Sequence, residues 1–199
     1  MRTAVISDIH GDHGALVAVL KDIEACACDR IVCLGDIVNG GDANAACIRE
    51  LQSRRILTIR ENHDELFCQT RQGPDAEWLG ALPESLLEVD VLFIHISPRR
   101  DDRAITDRFI AWNVIDDMRE RIAFVGHLHV PVLYSVSRVM VGAARSGPVD
   151  YGRPIPLPRE ERHLVCPGSV GASRDGDPAA RYAVYDDRGL VEFRRVAAR

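Results

Sequence analysis

An α/β fold of two packed sheets with helices outside is what this chain predicts, on three observations. Short β-branched and apolar runs alternate with helix-period stretches in the first third, the second half is dominated by strand and turn signals, and polar motifs recur just after apolar runs.

The elements follow in order. Residues 3–7 form a β-branched run, and after Asp12-His13-Gly14 the apolar period Leu16, Val19, Leu20, Ile23 marks a helix. Residues 30–34 read as a buried strand, 42–53 as a helix with Asp42 as its N-cap, and 55–59 as another strand. Residues 64–82 read as helical in two pieces around Gly73-Pro74, and 85–96 as two strands with a turn near Val89-Asp90. A helix follows over 104–119. Further strands are expected at 122–125, 130–136, 139–141, 164–165, 182–185 and 190–196. Between them, 142–160 carries Gly147-Pro148, Gly152, Pro154, Pro156 and Pro158, too many breakers for a helix or central strand, and reads as a surface loop.

The 199 residues suit one domain, 1–199, with its own core, and 46% hydrophobic with 28% charged residues excludes a disordered or fibrous chain. A formal charge of -5 repels a long polyanion, so no stable nucleic-acid complex is expected. No apolar stretch approaches the roughly 20 residues of a membrane helix, which points to a cytoplasmic protein without membrane contact. Oligomeric state is not readable. Cys26, Cys28, Cys33, Cys47, Cys68 and Cys166 lack Cys-x-x-Cys spacing and read as free thiols.

The chemistry gathers in motifs that each follow an apolar run: Asp8-Ile9-His10, Gly35-Asp36, Asn62-His63-Asp64, His95, and Gly126-His127-Leu128-His129. Open α/β sheets carry their functional groups at such strand ends. Singly each motif is weak, because a lone strand-end His is more often structural. Together they supply Asp, Asn and His donors suited to hard or borderline divalent metals. His13 and His163 match no motif and read as ordinary hydrogen-bonded histidines.

These residues resemble the calcineurin-like metallophosphoesterase superfamily, whose pattern is Asp-x-His, Gly-Asp, Gly-Asn-His-Asp/Glu, a strand-end His and Gly-His-x-His. Ser7-Asp8-Ile9-His10-Gly11-Asp12 and Pro167-Gly168-Ser169-Val170-Gly171, followed by Arg174-Asp175-Gly176, are similar to its small bacterial and archaeal phosphodiesterase branch. The resemblance implies a four-layer sandwich of two mixed sheets flanked by helices. It also implies two divalent metal ions, manganese favoured, with iron, zinc, nickel or cobalt also suited. Asp8, His10 and His129 would bind one ion, Asn62, His95 and His127 the other, and Asp36 would bridge them. A hydroxide shared by the two ions would be the nucleophile, and His63 the general acid.

The chain departs from the pattern at two places. Glu61 replaces the usual Gly before Asn-His, giving up glycine's conformational freedom and bringing a charge close to the ions, and Ile96 replaces the Gly after the strand-end His. Asn39 is positioned in sequence to orient His63. Arg174 reads equally as a substrate-binding guanidinium or as a surface ion pair with Asp175 and Asp177. The expected activity is hydrolysis of a small-molecule phosphate ester or nucleotide, diesters favoured. Alternatives are a dinucleoside polyphosphate hydrolase, a protein phosphatase, or a non-enzymatic scaffold, the last expected to have lost His63 or several ligands.

Overall fold

The computed structural model describes residues 1–38, 43–99 and 103–197. Among the described residues, eleven strands form two mixed sheets. The first has the order β3(Leu57–Thr58), β2(Arg30–Cys33), β1(Arg2–Ile6), β10(Ala180–Asp186), β11(Leu190–Val196), β8(Pro154–Pro156). The second has the order β4(Ser85–Glu88), β5(Val91–Ile94), β6(Ile122–Phe124), β9(Glu161–Cys166), β7(Val132–Ser137). Strands β1, β2 and β3 are parallel, as are β5, β6 and β9.

Period-two alternation on strands buried on both faces builds the layers. Ala4 and Ile6 of β1 and Tyr182 and Val184 of β10 face α1(His13–Ala25) and α2(Asn44–Ser53), joining Leu16, Val19, Leu20 and Ile48 in one core. Val5, Val32, Phe93, Phe124, Val165 and Phe193 point the other way and fill the space between the sheets. Leu92, Ala123 and Leu164 meet Ala111, Val114 and Ile115 of α5(Arg108–Asp117) on the far side. Helix, sheet, sheet and helix therefore stack as the expected four-layer sandwich.

Several elements differ from expectation. The second helix begins at Asn44 after Ala43, which makes no side-chain cap, and Asp42 lies outside the described residues. The third strand shrinks to Leu57–Thr58, and the helix expected over 104–119 starts only after the N-cap Asp107, whose carboxylate accepts from the N–H groups of Phe109 and Ile110. Residues 139–141 are not a strand: Val139 and Val141 are 88% and 86% exposed around a turn. Within the expected loop 142–160, Pro154–Pro156 is an edge strand paired with β11 alone, where the missing proline N–H costs no ladder bond. No helix among the described residues is long and apolar enough to cross a membrane. All six cysteines are free.

Candidate metal centre

The expected site residues lie at the C-terminal ends of the parallel strands: Asp8 and His10 after β1, Asp36 after β2, Asn62 and His63 opening α3(Asn62–Thr70) after β3, His95 after β5, and His127 and His129 after β6. The turns that carry them are strained. Seven non-glycine residues have positive φ among those described, and Asp8 (56°), His10 (50°), Asp36 (52°), His127 (65°) and His129 (60°) are five of them. Left-handed backbone costs an L-residue roughly 1–2 kcal/mol, and such strain collects at functional sites.

Hydrogen bonds between loops hold it. The N–H groups of Asp8, His10 and Gly11 donate to the carbonyls of Gly35, Asp36 and Ile37 at 3.1, 2.9 and 2.9 Å. That of Gly126 donates to His95 O at 2.8 Å, joining the loops of the second sheet. Gly126 is obligatory, since a Cβ there would lie 2.1 Å from Ser7 Oγ and 2.9 Å from His95 Nδ1. Gly171 is likewise, because its Cβ would fall 2.0 Å from Ile9 O.

Among the described residues, Asp and His donor atoms form two groups that share Asp36: Asp8, His10, Asp36 and His129, and Asp36, His95 and His127, each with ligand atoms within 4.8 Å of one another. His129 Nε2 is 3.1 Å from Asp8 Oδ1 and 3.3 Å from His10 Nε2, while His95 Nε2 is 3.3 Å from Asp36 Oδ2. The outer nitrogens are anchored, His95 Nδ1 donating to Leu34 O at 2.7 Å and His129 Nδ1 to Ala172 O. That fixes the tautomer and turns each Nε2 lone pair inward.

Among the described residues, Asp8 Oδ2, Asp36 Oδ1 and His95 Nε2 are buried without a hydrogen-bond partner. Buried polar atoms rarely go unpaired, and carboxylate oxygens converging with imidazole nitrogens suit borderline divalent cations. The residues fit such ions. The electrostatics agree: burial opposes charge on His95, yet Asp36, Asp8 and Glu61 hold its pKa up at about 9. Burial works against ionised Asp8 and Asp36 too, and the neighbouring histidines outweigh it and lower both. His127 is lowered by burial and by His95.

The half-buried His63 ring meets the His10 ring edge-on, with centroids 5.5 Å apart. Asn39 lies outside the described residues. Glu61 is not among the positive-φ residues, so the site asks no glycine freedom of that position and the cost expected there does not arise. The exposed Arg174 donates from Nη1 to His127 O at 3.4 Å. The ion-pair alternative for Arg174 is not what forms, because Asp175 and Asp177 pair with Arg181, and Asp177 also with Arg195. His13 lies 3.9 Å from Glu50, and the buried His163 bonds Ser135 Oγ and Pro158 O, both away from the metal groups.

Two supporting residues had no assigned role in the sequence. Asp64, fully buried, accepts from the N–H groups of Asp36, Ile37, Val38 and Glu61. Burial and the Asp36 carboxylate push its pKa up to about 7 against the pull of those N–H groups. Arg181 is the other, and its only sequence signal is a charge interrupting the apolar strand β10.

Comparison with known proteins agrees with this geometry. Residues 1–188 match the model of the calcineurin-like phosphoesterase superfamily domain. An uncharacterized protein of Methanocaldococcus jannaschii is 30% identical over 220 residues, covering 97% of this chain and 86% of that protein. The crystal structure of a metallophosphoesterase from Sphaerobacter thermophilus superposes with a TM-score of 0.89 at 30% identity, covering 100% of this chain and 90% of that one. An archaeal phosphodiesterase shares the fold at 13% identity, with a TM-score of 0.58 and coverage of 98% and 100%. A domain match over nearly the whole length, joined to two donor groups that meet at Asp36, makes this chain a member of the calcineurin-like phosphoesterase superfamily.

Proposed function

We propose that this protein hydrolyses phosphodiesters of small molecules, nucleotides included, in the cytoplasm, using two divalent cations with manganese preferred. Asp8, His10 and His129 would hold one cation, Asn62, His95 and His127 the other, and Asp36 both. Bound cations would supply Lewis-acid neutralisation of the phosphate and a lowered pKa for the attacking water.

The chain's own groups do the rest. Asp36 belongs to both donor groups, and a carboxylate has two oxygens with which to serve them. His63, beside the site and outside both donor groups, gives its proton to the departing alkoxide. Arg174, exposed above His127, orients the phosphate through its planar fork. Glu61 adds negative charge near His95 and so disfavours a dianionic monoester relative to a monoanionic diester.

The observation that carries the reading is the gathering of Asp and His donors at the sheet edge into two groups that share the buried Asp36. The test is hydrolysis of bis-p-nitrophenyl phosphate and p-nitrophenyl phosphate by metal-stripped protein with and without manganese. Manganese-dependent turnover of the diester, abolished in Asp36→Asn and reduced in His63→Ala, is expected. Metal binding without turnover of either ester would remove the catalytic claim.

A further inference from the structure

Arg181 is 1% exposed, and its guanidinium is spent entirely on loops rather than on its own strand. Nη1 donates to Ser173 Oγ at 2.7 Å, Ala179 O at 2.8 Å and Asp177 O at 3.2 Å. Nη2 donates to Asp175 Oδ1 at 3.0 Å and pairs with Asp177 Oδ2 at 3.1 Å. Nε donates to Tyr151 Oη at 2.9 Å, tying in the proline-rich segment. A buried charge of this kind is stable only when its donors are satisfied, and removing it strands its partners.

The bonded residues flank Arg174 on both sides. The same segment reaches the metal centre at further points: Gly171 N–H donates to Asp8 O at 3.0 Å, Ser169 Oγ to the same oxygen at 2.8 Å, and Ala172 O receives His129 Nδ1. Arg181 also donates its own N–H to Ser169 O at 2.9 Å. The loop is thus pinned to Asp8 and His129 at one end and to Arg181 at the other, with Arg174 between the two.

We propose that Arg181 is a positioning residue that sets Arg174 over the metal centre for phosphate binding, by clamping Ser173, Asp175 and Asp177 on either side of it. The inference rests on the phosphate-ester reading above but concerns binding rather than turnover. Exposed loops ordered only by their own backbone sample many states, and an ordered guanidinium binds phosphate without first losing that freedom. Arg181 therefore acts on phosphate affinity through Arg174 and touches no substrate itself.

The test is calorimetric titration of inorganic phosphate into the manganese-loaded full chain, for wild type, Arg174→Met, Arg181→Met and the double variant. Each single change is expected to weaken phosphate about tenfold, and the double variant no more than about twofold beyond either, since one acts through the other. In esters that turn over, KM should rise in each variant by a larger factor than kcat falls. Multiplying effects, an Arg181→Met affinity equal to wild type, or a wild type that binds no phosphate would each overturn the clamp. If Arg181→Met does not fold, Asp175→Asn with Asp177→Asn loosens the clamp from its part-exposed side and is held to the same outcomes. Phosphate binding with the expected coupling but no turnover of any ester would sink the phosphoesterase reading and leave the clamp standing.

Discussion

The backbone N–H of Asp36 donates to the carboxylate of Asp64 at 3.0 Å, so the residue shared by both donor groups is held in its left-handed turn by the motif that follows β3. Asp64→Asn keeps the shape but sets an amide where the backbone offers only donors. Above pH 7, where Asp64 is ionised, its charge-assisted hydrogen bonds contribute about 1.5–3 kcal/mol each. The variant should lose about 2 kcal/mol of stability in urea unfolding and bind manganese at least tenfold more weakly, as read by metal titration. Wild-type manganese affinity would show that Asp64 does not hold the Asp36 turn.

Metal binding should stabilise the native chain. Asp8 and Asp36 are buried members of one donor group, each with an unpartnered carboxylate oxygen, and that group is dispersed on unfolding. A ligand bound only by the native state contributes about 2.7 kcal/mol at a hundredfold excess over Kd. Manganese should raise the melting temperature of stripped protein by several degrees and EDTA should reverse it, with the shift largely lost in Asp36→Asn. Equal shifts in wild type and variant would place the bound metal elsewhere.

The sandwich was legible because its sheets are buried on both faces, so β5 and β6 read as unbroken apolar runs bounded by polar turns. Pattern misled where it was local. Val139 and Val141 have strand chemistry but no sheet neighbour and lie exposed, whereas Pro154–Pro156 has breaker chemistry but needs hydrogen bonds on one side only. The donor residues could be found since each follows a strand. Asp64 stood out as a motif member but its role did not, and Arg181 did not stand out at all, because their partners are backbone groups and loop side chains brought near only by folding. Asn39 and Asp42 lie outside the described residues.

The core cysteines make a prediction at alkaline pH. Cys47 and Cys166 are fully buried, and desolvation raises both thiols to about 12 from an ordinary 9.0. The folded state thus keeps its protons where the unfolded state loses them, so these groups contribute stability that is intact below pH 9 and declines between 9 and 12. By pH 10 each should have lost about 1 kcal/mol. Urea midpoints should fall between pH 8 and 10, and the fall should shrink in the Cys47→Ala, Cys166→Ala double variant. An identical fall in the variant would assign it to other groups, Tyr182 among them, whose hydroxyl burial also raises.

Glu61 supplies the last test, because it separates charge from backbone at a motif position where glycine is usual. Its backbone needs no glycine, and Glu61→Gln removes one charge at nearly constant shape, a charge close enough to help raise His95. A carboxylate there repels a dianionic monoester about twice as strongly as a monoanionic diester, and in a partly desolvated site the difference survives screening. At about pH 8, kcat/KM of the Glu61→Gln variant for p-nitrophenyl phosphate should rise three- to tenfold, about 1 kcal/mol, and that for the bis ester by less. The ratio of the two esters carries the argument, since a change in metal loading would move both together. A ratio unchanged by the substitution would mean that Glu61 faces away from the substrate and sets no preference between the two esters.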